Sequence, residues 1–482
     1  MPTNLTASSA TFPRRRVTAP RAAGQPRLAP EAAAISAYAP RKVVEPALTE
    51  PVGRAYHYLD VVQDAYVKGG EPRLLQSYNN ESELMTTAFV YDNALATLAW
   101  LANPTVANVR RARLVGDALL WAQMHDETYA DGRLRQAYAA GPMQFYGDGP
   151  SFPGLKREDG KAAHLWPFGF GGSSTGDMAW AGLALAQLYI DTRIGKYLDG
   201  ASALARWIAA QRSPYHYGGY HGGVQADGET PQRWASTEHN IDAYALFDLL
   251  GKLTKERSWA AHAEVAAGFV RAMWNRQGGH FWTGTLGGLD GEDPNAINVG
   301  NVPEDVQTWE LLGFGDSRYD AAVDWATRNL WNTDGTVSGV TYSSHARISG
   351  DAVPGSTLPH SRDAVWLEGN SHAALALLQR DARGDAALAR QLLQETVRAQ
   401  ESLGTGQTVG RTSDPQHGKL SSPAEGGSWT GTPLPAAGGI VAATNSFDTG
   451  FEFGYFARQH VGATAWFLMA AQNFNPMQLS AV

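Results

Sequence analysis

Glu238 and Asp242 stand four residues apart in the stretch WASTEHNIDAY, Trp234 to Tyr244, with His239 between them. On a helix that spacing puts both carboxylates on one face, where like charges repel. The residues that follow, Ala243 to Leu250, are largely apolar. The acids therefore stand at the mouth of a helix that otherwise reads as core. There, apolar surroundings and a like-charged neighbour both raise a carboxyl pKa. His239 lies roughly 100° round the helix, placed to orient a neighbour or a ligand.

The same juxtaposition recurs along the chain. Asp92 lies in TAFVYDNALA, Asp177 in SSTGDMAW, Glu304 and Asp305 in VPEDVQTW, Asp363 and Glu368 in RDAVWLEGNSHAA, and Asp448 and Glu452 in FDTGFEFGY. Acids at helix N-termini are favoured by about 0.3–1 kcal/mol, which accounts for Asp177, Glu304 and Asp305 as caps. It does not account for Asp92, Asp242 and Glu368, each about a turn or more inside an apolar run. Aromatic residues share these mouths: Tyr91, Trp166, Trp180, Trp234, Trp309, Trp366 and Trp429. Flat rings beside carboxylates suit sugars, which offer apolar C–H faces and polar edges. Trp100, Trp325 and Trp466 lie within helices and read as core packing.

The elements that must position these residues are two classes of helix. Amphipathic patterns run over about 53–68, 106–125, 196–211, 257–276, 318–330 and 385–402. Nearly all-apolar ones run over about 86–101, 176–191, 237–251, 304–313, 362–378 and 453–472. A helix apolar on every side must be buried on every side, and an amphipathic one covers it. Strict alternation of the two predicts six hairpins, an inner ring wrapped by an outer ring. Links from inner to outer helices are short. Most links back, at about 126–175, 212–236, 277–303, 331–361 and 403–452, are long. Loops of that length are usually functional. In a closed ring they emerge together, on the side where the inner helices begin.

With STGDMAW, STEHNIDAYALF, VPEDVQTW, VWLEGNSHAALAL and HVGATAWFLMAAQNFNP at successive inner helices, the chain resembles the six-hairpin alpha-toroid glycosidases over about residues 50–477. The resemblance implies an all-α (α/α)6 toroid with long loops on one face, as a single catalytic domain over residues 46–482. It also implies an enzyme acting on sugars. Inverting glycoside hydrolysis needs one protonated carboxyl for the leaving group and one carboxylate to activate water, about 6.5–9.5 Å apart. Glu238 is the expected general acid. The base is expected from another inner helix: Asp305, Glu368 or Asp177. Asp92, Asp242, His239, Tyr91, Trp166, Trp180, Trp234, Trp309 and Trp366 are the expected substrate contacts. Sugar 2-epimerases of the N-acylglucosamine type and several polysaccharide lyases share this toroid, so the fold does not choose the reaction; the alternatives are an epimerase, a lyase, or a toroid that binds glycans without cleaving them. Carbon-acid chemistry would need a base such as His239, His372 or His460, with Arg362 and Arg458 to hold an anion. Acids outnumber those cations at the mouths, which favours a neutral oligo- or polysaccharide.

Composition closes off other classes. A net charge of -8 argues against nucleic acid as a partner. The absence of cysteine excludes disulfides and thiolate metal sites. No apolar run is long enough to span a membrane. The stretch LDGEDPNAIN, Leu289 to Asn298, is rich in oxygen ligands but lacks the spacing of a calcium loop, so no metal and no cofactor are expected. Residues 1–45 read as a disordered, basic leader. Pro13-Arg14-Arg15-Arg16 has the look of a twin-arginine signal, but no apolar segment follows it, so the expected location is cytoplasmic. The sequence carries no signal for an oligomeric state.

Overall fold

The computed structural model describes residues 42–79, 84–144, 150–289, 291–348, 352–354, 358–410 and 431–479. The expected leader up to residue 41, and Trp429, lie outside the described residues. Twelve α-helices form within them: α1 (Thr49–Gln63), α2 (Val90–Ala102), α3 (Val106–Met124), α4 (Thr175–Thr192), α5 (Gly195–Ala210), α6 (Thr237–Thr254), α7 (Arg257–Ala272), α8 (Asp305–Gly313), α9 (Ala321–Asn329), α10 (Leu367–Arg380), α11 (Asp385–Ser402) and α12 (Val461–Ala471).

The even-numbered helices form the inner ring. Each packs on the next, α2 on α4 and so on to α12, and α12 packs on α2 to close the circle. All 11 residues of α12 are buried, against seven of the 18 in α11, as an inner and an outer helix require. Each odd-numbered helix from α3 to α11 lies outside the inner helix before it, and α1 packs against α12. The two ends of the chain thus make the sixth hairpin. It is tied by the Val44 N–H on the Ala471 carbonyl at 2.8 Å and by the Gln472 amide on the Tyr56 hydroxyl at 2.8 Å. This is the all-α toroid with long loops on one face. Among the described residues no helix is long and apolar enough to cross a membrane.

A belt of short antiparallel pairings runs round the mouth. Each inner helix start is paired with the loop that leads into the next inner helix. Thr87–Phe89, ahead of α2, pairs with Ala137–Ala139, and Ser173–Ser174, ahead of α4, pairs with Gly223–Val224. Single bridges continue it: Ser236 with Gly284, Pro303 with Ser343, Trp366 with Ala443, and His460 with Tyr78. The loops are long because each must reach the neighbouring hairpin and satisfy backbone groups there.

The belt also shortens three inner helices relative to the apolar patterns. α2, α10 and α12 begin at Val90, Leu367 and Val461 rather than near 86, 362 and 453. Ahead of α12, Phe447–Asp448 pairs with Gly454–Tyr455 across a turn at Gly450. The alternating aromatics of FEFGYF serve a strand period, not a helical one. Asp448 is therefore a strand residue and Glu452 lies in the turn, neither of them at a helix mouth.

Candidate active site

Residues from all six inner-helix starts meet at the mouth end of the axis. His460, the N-cap of α12, receives the Ala463 N–H on Nδ1 at 3.3 Å. Its Nε2 lies 2.9 Å from Asp92 Oδ1, and its Nδ1 lies 3.6 Å from Glu368 Oε2. Tyr91 donates its hydroxyl to Glu368 Oε1 at 2.6 Å and receives the Trp466 indole N–H at 3.0 Å. Three inner helices, α2, α10 and α12, are thus tied through one set of side chains.

The α4 and α6 acids face this network. Ser174 caps α4 by accepting the Asp177 N–H at 2.9 Å, and its hydroxyl donates back to the Asp177 carboxylate at 2.7 Å. Ser236 caps α6 by accepting the His239 N–H at 3.3 Å, and Thr237 is spent on the Trp282 carbonyl at 2.6 Å. Glu238 takes no part in capping its own helix. It lies deep in the molecule and keeps part of its surface open, as do Asp177, His239 and Tyr91. Asp242, one turn below, is fully buried, and neither of its oxygens has a hydrogen-bond partner. The Trp180 indole faces it without closing such a bond.

The α8 pair splits. Asp305 accepts the Val306 N–H at 2.6 Å, beside the other acids. Glu304 points to His372 instead, with 3.0 Å between Oε2 and Nδ1, and the same nitrogen is 2.9 Å from the Thr308 hydroxyl.

Burial sets the protonation of this cluster, and like charge reinforces it. Burial first, then Asp305, Asp242, Asp177 and Glu368, push Glu238 well above the ordinary carboxyl range. Burial and then Asp305 do the same to Asp242. Glu304 is driven well up by burial, then by Asp305 and Glu368. Asp177, Asp305 and Glu368 are raised, chiefly by burial, to about 7. Burial lowers His239 to about 4 and holds His372 well below its ordinary value. In His460 burial pulls down, but Asp92 and Glu368 outweigh it and the net shift is upward. The mouth thus offers carboxyls that keep their protons, carboxyls that titrate near neutrality and a neutral imidazole.

Beneath the acids an aromatic floor fills the axis. Trp180 and Trp309 meet at 5.0 Å between ring centroids, and Trp466 packs on them at 5.6 and 5.7 Å. Tyr91 covers Trp180 at 5.6 Å and Trp309 at 6.2 Å. Trp366 packs on Tyr342 and His372 at 4.7 and 5.0 Å. Trp180, Trp309 and Trp366 are thus floor rather than rim, each fully buried. Trp466, read from sequence as core, belongs to the same floor. Trp234 is half-buried, 5.4 Å from the His239 ring, and Trp166 stands farther out, 38% exposed.

Asp363 and Glu452 are exposed and away from the cluster, and Asp448 lies 3.5 Å from His345. Arg362 is exposed. In the oxygen-rich loop, Glu292 accepts the Gly287 and Leu289 N–H groups and Asp293 accepts that of Asn295, so these carboxylates close local turns.

The spacing argument missed Tyr78, Tyr342 and Tyr455. Their hydroxyls are pushed well up, first by burial and then by neighbours that include the ring acids. Tyr78 and Tyr342 come from connections between helices, where no helical period marks a direction, and Tyr455 comes from the segment read as the start of the last inner helix, which pairs as a strand instead.

No family model and no curated protein matches the chain. Solved structures match its shape. A sugar epimerase from a ruminal bacterium superposes with a TM-score of 0.53 at 10% identity, over 88% of this chain and 98% of its own. A D-mannose isomerase gives 0.53 at 9% identity, over 88% and 96%. The family 76 α-1,6-mannanase of Salegentibacter sp. HEL1_6 gives 0.50 at 12% identity, over 89% and 100%. An inactive variant of that mannanase was solved with α-1,6-mannotriose. At such identities the likeness is one of fold, the (α/α)6 toroid.

Proposed function

We propose that the chain is a glycoside hydrolase acting with inversion on a neutral oligo- or polysaccharide, as a single catalytic domain over residues 46–482. Glu238 is the general acid. It is partly open at the mouth, and burial with Asp305 beside it keeps it protonated. That observation carries the reading, because a carboxylic acid must hold its proton near neutral pH to assist a leaving group.

The base is Asp305 in the first instance. It comes from the neighbouring inner helix, titrates near neutrality at about 7 and is the acid that bears most strongly on Glu238. Glu368 is engaged by Tyr91 and His460, and Asp177 by its own cap, so they rank behind it. The saccharide-acting neighbours of the same fold support a sugar substrate.

The test is reducing-end release from a panel of neutral glycans, with NMR of the first-formed anomer. New reducing ends with inverted configuration are expected. An ultraviolet-absorbing unsaturated product, or no release from any neutral glycan, would overturn the reading.

A second reading is sugar isomerisation or epimerisation. Half-buried His239 favours it: its Nδ1 has no partner and its ring is neutral. An imidazole with a pKa of about 4 is a weak base for a carbon acid, so hydrolysis is preferred. Interconversion of free sugars without new reducing ends would reverse that preference.

A further inference from the structure

A line of aromatic rings leaves the acid cluster on the α2 side. The Tyr78 ring stacks on His460 at 4.1 Å and 6°. Phe89 meets Tyr78 at 6.2 Å, Phe170 meets Phe89 at 5.0 Å, and Phe168 meets Phe170 at 6.1 Å. Gly169, at φ 81°, turns the chain between the last two, a conformation costly for any residue with a side chain. Trp166 stands at the far end, in the same 3-10 turn as Phe168. Tyr78, Phe89, Phe168 and Phe170 are each only partly buried, and Trp166 is 38% exposed. Successive interplanar angles of 53°, 68° and 85° make this a curved wall, not a stack.

We infer that this wall is a binding track for a chain of neutral sugar residues running from the outer loop into the acid cluster. The inference rests on the saccharide reading above and deepens it, because a track implies a substrate of several units rather than a free sugar.

Three observations support it. The rings are contiguous from Trp166's turn to His460, which itself touches Asp92 and Glu368. Phe89, Phe168 and Phe170 rest on a small apolar cluster that includes Met85, Met143 and Leu165 and keep part of their surface open, so together with Tyr78 they form one contiguous apolar surface of the kind that lines ligand grooves. The arginine at the outer end offers no free positive charge: Arg157, 5.4 Å over the Trp166 ring, is paired with two acids, Glu127 at 2.5 Å and Asp159 at 2.6 Å. That favours a neutral glycan over an acidic one.

The experiment is binding, not turnover. Wild-type protein, Trp166→Ala and Phe168→Ala are compared by affinity electrophoresis on α-mannan, β-glucan and xylan. Calorimetry then follows with oligomers, from disaccharide to octasaccharide, of whichever glycan binds. Wild-type affinity should rise with chain length. Each variant should lose about tenfold on the longest oligomer, the effect of one lost aromatic face, and less on the disaccharide. Melting curves establish that the variants are folded. Folded variants that bind the octasaccharide as wild type does would overturn the track. So would no retention on any neutral glycan, or stronger retention on polygalacturonate. Length-dependent binding with no new reducing ends would leave the track standing and remove the hydrolase reading. Hydrolysis without length dependence would do the reverse.

Discussion

His460 Nε2 lies 2.9 Å from Asp92 Oδ1, and the contact joins the last inner helix to the first. It closes the toroid at the level of the acids, across 368 residues of chain. Gly462 makes room for it. A Cβ there would fall 2.6 Å from Asp92 Oδ1 and 3.1 Å from Glu368 Oε2. Gly462→Ala should therefore cost about 1–3 kcal/mol by overpacking and cut activity as well. Chemical denaturation together with an activity assay checks this; wild-type stability and activity would show that the network tolerates displacement.

Glu238→Gln separates chemistry from capping. Ser236 carries the cap of α6, so helix stability should not suffer. Turnover should fall about 10²–10⁴-fold with the melting temperature unchanged or raised. Near-normal turnover by the folded variant would exclude Glu238 as the acid.

Asp242→Asn should shift the pH profile. Glu238, Asp242 and Asp305 share protons, and removing one negative neighbour lets the remaining carboxyls ionise earlier. The alkaline limb of kcat/KM should move to lower pH. An unmoved limb would mean that Asp242 has no electrostatic hold on the acid.

Stability should fall as pH rises through neutrality. Asp177, Asp305 and Glu368 hold protons in the native state up to about 7, whereas the unfolded chain releases them near 4. Their contribution is fully present below about pH 4 and is lost as pH rises to about 7. His460, also raised, loses its contribution as pH climbs above about 6.5. Asp126, lowered to about 2, works in the opposite sense, but its contribution is already complete above about pH 5. His239 and His372, held neutral by burial, also work in the opposite sense and gain as pH rises to about 6.5, but the raised carboxyls Asp177, Asp305, Glu368, Glu238, Asp242 and Glu304 outnumber them. Melting temperature should be higher at pH 5 than at pH 8, and Asp305→Asn should narrow the difference. A melting temperature that rises over this interval would contradict the raised values.

Trp309→Ala and Trp234→Ala should behave differently. Trp309 is buried in the floor, and its truncation should cost about 3–5 kcal/mol. Trp234 is half-buried beside His239, so its loss should lower saccharide affinity with little change in stability. Equal stability losses would place both in the core.

The architecture was legible because burial has a period. Inner helices such as α12, apolar on every side, and outer ones such as α11, apolar on one face, differ in composition alone. The acids at inner-helix starts were legible for the same reason: a charge in an apolar run has a cost that the sequence displays. Helix starts were less so. The aromatic segment before α12 satisfies a helical count of apolar residues, yet its backbone pairs across a turn, and that partner lies in another part of the strand pattern.

What the sequence by itself determined is which residues are acidic, which helices are buried and on which side the long loops must lie. Tertiary structure alone decided which of those acids meet. The belt of pairings sets the rotation of each helix mouth, sending Glu304 to His372 but Asp305 to the acid cluster, although the two are adjacent in the chain. It also decided that Trp180 and Trp309 are floor, and that Tyr78, Tyr342 and Tyr455 come in from outside the helices. Periodicity gives a residue's direction relative to its own helix, whereas proximity and pKa depend on how six helices are turned toward one another.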